Sequence, residues 1–303
     1  MALVIKTLDL ARADFMEQQV LAQKASAKRY AMFCREINSR QEYEKFSTLT
    51  GLPLPGQVDE GQLVPEGTPR KLYNKSWQVS KYGQRIKYTY EAQFTDQFSV
   101  FETLGKQAGQ RAEQNLEFLF ASFLANAWNS GSDYLGADGV SFASTAHPTN
   151  GGPTFSNTSS NLSLNPVNLN AAKTQVRKVL DANGVPFDYT GEWTLVTPVD
   201  LEYTADEILN STGLAYSTDN TKATQKTYMA GNSVTLPFWN STTTAWALFP
   251  TNKDEHGVFK MNRMPRKTEF DTDKQHQAEF IIVTEENVIG WLHSYNTYMN
   301  QGS

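Results

Sequence analysis

Between Ser99 and Trp128, apolar or small residues recur at Phe101, Leu104, Ala108, Ala112, Leu116, Leu119, Phe123 and Ala127. Every step is three or four residues, which lays one apolar stripe along a single α-helix. Ser99 with Glu102 makes a capping-box pattern at its start. Asn129, Ser130 and Gly131 supply the predicted stop, because glycine takes the left-handed conformation that ends helices. At about 1.5 Å per residue the rod would be roughly 43 Å long, longer than a compact small domain is wide. Gly105, Ala108, Gly109 and Ala112 leave one side narrow enough for another backbone to approach. The GxxxG spacing does not indicate a membrane span, since Lys106, Arg111, Glu113 and Glu117 share the segment.

Other patterns flank the rod. Residues 1–50 have the character of an arm: Leu8 to Arg35 is rich in helix formers, but its apolar pattern is broken and needs a neighbour to pack on. An ordinary peripheral helix and an arm reaching another subunit fit it equally. From Gly51 to Pro69, prolines and glycines forbid a regular helix. Beyond them Trp77, Val79, Lys81 and then Ile86, Tyr88, Tyr90 alternate as a strand does, with Tyr82–Gly83 as a bend. Val58 to Tyr90 therefore reads as a hairpin excursion with a polar tip. It has too little apolar surface to stand alone and implies a partner surface.

After the rod, Gly131–Asn165 is a Gly/Ser/Thr/Asn-rich loop anchored by Tyr134, Leu135, Phe142 and Phe155. A second unit follows. Leu169–Asn183 is a predicted helix, with Asn168 as N-cap, Gly184 as stop and Pro186 beyond. Trp193–Thr197 is a buried strand, and Pro198 opens a short helix facing inward with Leu201, Ala205, Ile208 and Leu209. Thr212–Gly231 is polar and loop-like, and Val234–Phe238 and Ala245–Phe249 are short strands. This order implies an α+β layer unit. In the last segment, Ala278–Thr284 and Val288–Ser294 read as two strands joined by a turn at Glu285–Asn287, pairing with the strands that precede the rod.

Composition narrows the function. The chain has 303 residues, 39% hydrophobic and 19% charged, with net charge −5 and one cysteine. A mildly acidic chain has no footprint for tight nucleic-acid binding. The single Cys34 excludes an internal disulfide framework and a cysteine-based metal site. No apolar run is long enough to span a membrane, and MALVIKTLDLARADF lacks the order of a secretion signal. The expectation is a soluble protein that stays in the cell that makes it, unless it leaves as part of something larger.

Catalytic constellations are sparse. Histidines stand at 147, 256, 276 and 293, with no pair at zinc-motif spacing. His147, in STAHP, has Ser144 three residues away, too close in a proline-ended loop to build a nucleophile, a base and an orienting group. It is expected to hydrogen-bond its own backbone. His256, in KDEHG, is expected in a solvated turn. No phosphate-cradling glycine motif and no calcium-loop spacing occurs, and Glu285 and Glu286 read as exposed turn carboxylates. No catalytic residue, cofactor or metal site is assigned, and a structural role is favoured.

Three stretches carry a family resemblance. IKYTYEAQFTDQFSVFETLGKQAGQRAEQNLEFLFASFL resembles the entry into the spine helix of Mu-like major head subunits. GVSFASTAHP with its Gly/Asn-rich sequel resembles the loop after that helix, and WTLVTPVDLEYTADEILNS resembles the strand and helix of the axial domain. Arm, hairpin, spine, α+β unit and closing strands together resemble the layout of tailed-phage major capsid proteins with the HK97 fold, from about residue 40 to the end. The resemblance implies an N-terminal arm (1–56), an E-loop hairpin lying over a neighbour (57–92) and a peripheral domain with the spine (93–164). It further implies an axial domain (165–250) and strands returning to the peripheral domain (251–303). By the same resemblance Thr212–Gly231 would meet its copies at capsomer centres and Met261–Asp273 would touch at threefold positions. Glu60, Arg70, Lys71, Trp77, Arg263 and Arg266 would be intersubunit contacts. No motif for a Lys–Asn crosslink is present, and the N-terminus is too short to include a scaffolding domain.

The expected function is therefore a shell subunit. It would self-assemble as hexamers and pentamers into an icosahedral head around phage double-stranded DNA, built in the host cytoplasm and retained in the virion. Separate scaffolding, portal and decoration proteins would be its partners, with DNA contacted only non-specifically and no membrane contact. The alternatives are an encapsulin-like nanocompartment shell and a hydrolase using His147 with Ser144 or a distant acid.

Overall fold

The computed structural model describes residues 2–89, 91, 100–149, 154–159, 161–181, 183, 185–187, 189–210, 233–273, 275 and 277–303. Helix α1 (Ala2–Ala25) leads through the single turn α2 (Tyr30–Phe33) into strands β1 (Arg35–Asn38) and β2 (Tyr43–Leu49). An irregular segment separates β2 from β3 (Lys71–Gln78), and β4 (Ser80–Thr89) follows at once.

The rod is present as α3 (Val100–Ala125), 26 residues and about 39 Å long. Ser99, half of the expected capping box, lies outside the described residues. The helix stops earlier than its glycine signal, and Gly131 does not take the left-handed conformation. Asn126 follows its last residue, with backbone N–H and side-chain amide both donating to Ser122 O, at 3.0 and 2.9 Å. The narrow side predicted at Gly105 and Gly109 is where α1 crosses. A Cβ on Gly105 would stand 2.6 Å from Phe15 O, and one on Gly109 would stand 2.4 Å from Gln19 O. The two backbones meet only because both positions lack a side chain. Phe15 is fully buried there, 5.5 Å from the Phe101 ring and 6.1 Å from that of Phe270. Of the two readings of the arm, its helical part lies on the chain's own spine.

Beneath these helices lies a four-stranded sheet in the order β1-β8-β9-β4, where β8 is Val258–Asp273 and β9 is Ala278–Trp291. Two expectations are corrected. Residues 285–287 form no turn, and β9 runs through them unbroken. Its hairpin partner is the unforeseen β8, while the expected pairing with a strand before the rod is met by β4. Glu285 and Glu286 stay in the strand because Arg266 and Arg263 answer them from β8. The register of β8 shifts around Pro265, which cannot donate to a ladder.

The hairpin is also displaced. β2 pairs antiparallel with β3 as a separate two-stranded ribbon, Tyr43 opposite Gln78, while β4 belongs to the body sheet. The ribbon therefore spans residues 43–78 rather than 57–92, with Gly51–Arg70 as its tip. Alternation marks a strand but not its partner, so Trp77 through Tyr90 read as one arm of a hairpin, whereas residues 77–89 divide between β3 and β4 in two sheets.

The second unit centres on the sheet β10-β7-β5-β6. It contains β5 (Trp193–Pro198), β6 (Ser233–Leu236), β7 (Trp246–Pro250) and β10 (Tyr298–Asn300). All six residues of β5 are buried because both faces are covered. Trp193 and Leu195 meet the core under α4 (Pro166–Arg177) and α5 (Glu202–Asn210). Val196 joins the core shared with the C-terminal half of α3. The N-cap of α4 is Asn165, not Asn168: Asn165 Oδ1 accepts the Asn168 N–H at 2.8 Å and Pro166 occupies the first turn. The helix ends at Arg177, six residues before its predicted end.

Candidate functional site

Two buried polar clusters fasten the elements together. In the first, Arg266 on β8 donates through Nη1 to Glu113 Oε1 on α3 at 2.9 Å. It also donates through Nε and Nη2 to Glu285 Oε2 on β9, at 2.9 and 2.8 Å. Glu113 also accepts the Tyr30 hydroxyl at 3.3 Å, and Glu117 Oε1 accepts the Tyr30 N–H at 3.2 Å. Burial, followed by the Glu113 carboxylate, pushes the Tyr30 phenol well above its usual range. Burial likewise raises the Glu117 carboxyl. Cys34 beside them is buried, which pushes its thiol up and leaves it without thiolate character. The cluster joins spine, sheet and the α2 turn.

The second cluster surrounds His147, which is completely buried rather than bonded to its own backbone. Nδ1 lies 2.7 Å from Asp138 Oδ2, and Nε2 lies 3.2 Å from Asn157 Oδ1. Asn157 donates through Nδ2 to Phe142 O at 2.7 Å and accepts the Ser144 N–H at 2.9 Å, which fixes its oxygen toward the ring. Nε2–H therefore faces the Asn157 oxygen, while the partly exposed Asp138 carboxylate lies against Nδ1.

Ser294 Oγ completes a set that resembles a serine hydrolase triad only in composition. It lies 3.0 Å from Nε2 and 3.5 Å from Nδ1. An oxygen on the Nε2 lone-pair axis would stand about 5 Å from Nδ1, so the hydroxyl sits over the ring face. A general base meets its proton in the ring plane, so His147 cannot activate Ser294. Ser144 contributes to the cluster only by holding Asn157 and the backbone of Ala146.

His256 is also corrected: it is 3% exposed, its ring 5.4 Å from that of Phe249, instead of lying in a solvated turn. Burial, with His293 and Arg35 nearby, lowers its pKa to about 3. His293 is lowered to about 4 by burial and Arg35. Nε2 of His256 and Nδ1 of His293 are buried without a hydrogen-bond partner. His276 and the capsomer-centre candidate Thr212–Gly231 lie outside the described residues. Among the described residues no three His, Cys, Asp or Glu side chains are grouped to hold a metal ion, and no helix is long and apolar enough to cross a membrane.

The expected contact residues divide. Trp77 is buried in the chain's own core, its ring 6.0 Å from that of Phe259, and Arg266 is committed to Glu113 and Glu285. Neither is free to meet another copy. Arg263 is partly exposed and pairs with Glu286 at 2.9 Å. Glu60, Arg70 and Lys71 are exposed on the ribbon. Around them the tip displays Leu52, Leu54, Leu63 and Val64, with Leu63 94% exposed. A reading by residue type missed both buried clusters. The anchors Phe142 and Phe155 on either side of His147 were the one available signal.

A long spine helix, an arm helix laid on it, a protruding ribbon and two sheet units make up the HK97-type capsid fold. Solved structures of that kind superpose over most of the chain. A Microbacterium phage Oxtober96 structure matches with TM-score 0.59 at 10% identity, covering 91% of each chain. The capsid of cyanophage P-SCSP1u matches with TM-score 0.58 at 12% identity, covering 91% of this chain and 88% of that one. A virus-like particle from Pyrococcus furiosus matches with TM-score 0.58 at 7% identity, covering 94% and 97%. No curated protein matches by sequence. The model of a phage capsid protein family matches residues 73–283, and the chain belongs to that family. It is a capsid shell protein, a structural component of the virion.

Proposed function

We propose that this chain is the major shell subunit of a tailed-phage head, closing as hexamers and pentamers around double-stranded DNA. One observation carries the assembly reading. Residues 43–78 form a separate two-stranded ribbon whose tip leaves Leu52, Leu54, Leu63 and Val64 exposed. The root of the ribbon packs on the chain's own body through Phe46 and Trp77, but its exposed apolar tip calls for a covering surface. Identical subunits that overlap head to tail close into rings, so each tip finds that surface on the next copy. Glu60, Arg70, Lys71 and Arg263 are the contact residues retained. Net charge −5 keeps the wall from binding packaged DNA tightly. Assembly takes place in the host cytoplasm, with scaffolding, portal and decoration proteins supplied by other chains. No catalytic step is assigned: the face-on Ser294–His147 contact argues against the hydrolase alternative.

The likeness to a virus-like particle leaves the nanocompartment shell as the second reading, less favoured than a head because the family match is to phage capsid proteins. The test is negative-stain microscopy and sedimentation of the purified chain, alone and with its scaffolding protein. Closed shells are expected; a small monomer under every condition would refute the reading.

A further inference from the structure

A cavity of about 200 Å³ lies in the seam where the ribbon meets the body of the chain. Leu72 and Tyr73 of β3 close it from the ribbon, and Phe155 and Tyr295 close it from the body. The two body rings are 5.0 Å apart, and Phe187 backs Tyr295 at 4.4 Å, which holds that wall in place. A dry cavity of roughly 150 Å³ admits benzene, so this one takes a single aromatic ring with a small substituent.

The charge of the lining has one sign. Among the described residues that line the cavity, Asp138 alone is charged at neutral pH, and none is lysine or arginine. One oxygen of Asp138 meets His147 Nδ1 at 2.7 Å, and the other meets the Val140 N–H at a long 3.4 Å. His147 stands behind the carboxylate, outside the lining. The field of Asp138 reaches across the cavity: burial first, and then this carboxylate, push the Tyr295 phenol up to about 12. His293, on the same wall, is kept neutral by burial, and its Nδ1 is buried without a hydrogen-bond partner. Such an atom costs stability until something supplies the missing bond.

We infer that the seam is a binding site for a small organic cation built on one aromatic ring, an aryl amidine or a benzylic amine. Its ring lies among Tyr73, Phe155 and Tyr295, and its nitrogen group is directed to Asp138. Aromatic faces and a carboxylate both attract such a cation, whereas an anionic ring of the same shape would meet Asp138 as a like charge. Because one wall is ribbon and the other is body, an occupant ties the two together. Occupancy is a property of the free subunit and does not rest on the shell reading.

Benzamidine and benzoate, alike in shape and opposite in charge, are titrated into the free subunit and followed by ligand-observed NMR. Benzamidine should saturate in the millimolar range or below, as expected of a ligand of about nine heavy atoms, and should bind about tenfold or more tightly than benzoate. Asp138→Asn keeps the shape of the side chain, removes its charge and should erase that preference. Leu72→Trp fills the cavity from the ribbon side, leaves the His147 cluster untouched and should weaken benzamidine about tenfold or more. A thermal melt checks that each variant is folded; if Asp138→Asn is not, the paired ligands and Leu72→Trp decide the matter. Hydrogen exchange over residues 43–49 and 71–78 should slow when benzamidine binds wild type and stay unchanged in Leu72→Trp. Equal affinity for the two ligands, a preference that survives Asp138→Asn, benzamidine binding unaltered by Leu72→Trp, or no saturable binding at all would each overturn the assignment.

Discussion

Gly109→Ala separates helix propensity from packing, because the two predict opposite signs. In a solvated helix interior the change stabilises by about 1 kcal/mol. Here the added Cβ would lie 2.4 Å from Gln19 O and 3.1 Å from Ala22 Cβ. A relaxed carbon–oxygen contact is about 3.3 Å, so α1 and α3 must part by about 1 Å. Overpacking of that kind costs roughly 1–3 kcal/mol, and it loosens Phe15, which is fully buried between the helices. The net expectation is a loss of up to about 2 kcal/mol, a fall in melting temperature of up to about 4 °C. The assay is thermal unfolding of the free subunit at matched concentration, since assembly would add its own stability. Hydrogen exchange along Ala2–Ala25 should quicken at the same time. Gln110→Ala, one residue on and exposed, is the control and should be neutral or slightly stabilising. A Gly109→Ala subunit that melts higher than wild type would refute the close crossing of α1 on its own spine.

Arg266→Ala would strand Glu113 and Glu285 without their cation and should cost about 3–5 kcal/mol in denaturant titration. His147→Ala should destabilise by about 2–4 kcal/mol, because Asp138 and Asn157 lose their common partner; an unchanged unfolding midpoint would contradict the network. Acid should destabilise the subunit through His256 and His293, whose folded pKa values of about 3 and about 4 lie below that of an unfolded histidine. Both are neutral in either state above pH ~6.5, so this contribution is flat there. As pH falls below ~6.5 the unfolded chain takes up protons that the folded chain refuses, at up to about 1.4 kcal/mol per unit for each group until the folded value is reached. Melting at pH 7 and pH 5 checks this, and a subunit equally stable at both would count against it.

Elements whose signal is local were legible in the sequence. The apolar stripe from Phe101 to Ala127 located α3, Gly105 and Gly109 marked where another backbone could cross it without naming which, and continuous apolar runs located β5 and β7. What depended on a distant partner was not. Glu285 and Glu286 look like turn residues until Arg263 and Arg266 are known to face them across the sheet. β8 carries charges along one face because only the other is covered, so no apolar run announced it. The alternation through Trp77 and Tyr88 fixed two strands but not that they belong to different sheets. His147 read as a loop residue bonded to its own backbone and His256 as a solvated turn residue, and their burial is decided by Phe155, Trp291 and Phe249.

Cryo-electron microscopy of the assembled particle, at a resolution that traces each chain, tests the central claim most directly. The expected map is a closed icosahedral shell in which Val100–Ala125 is one unbroken rod and residues 43–78 of each copy lie across the next. A purified chain that stays monomeric, with its ribbon tip packed against its own spine, would contradict it.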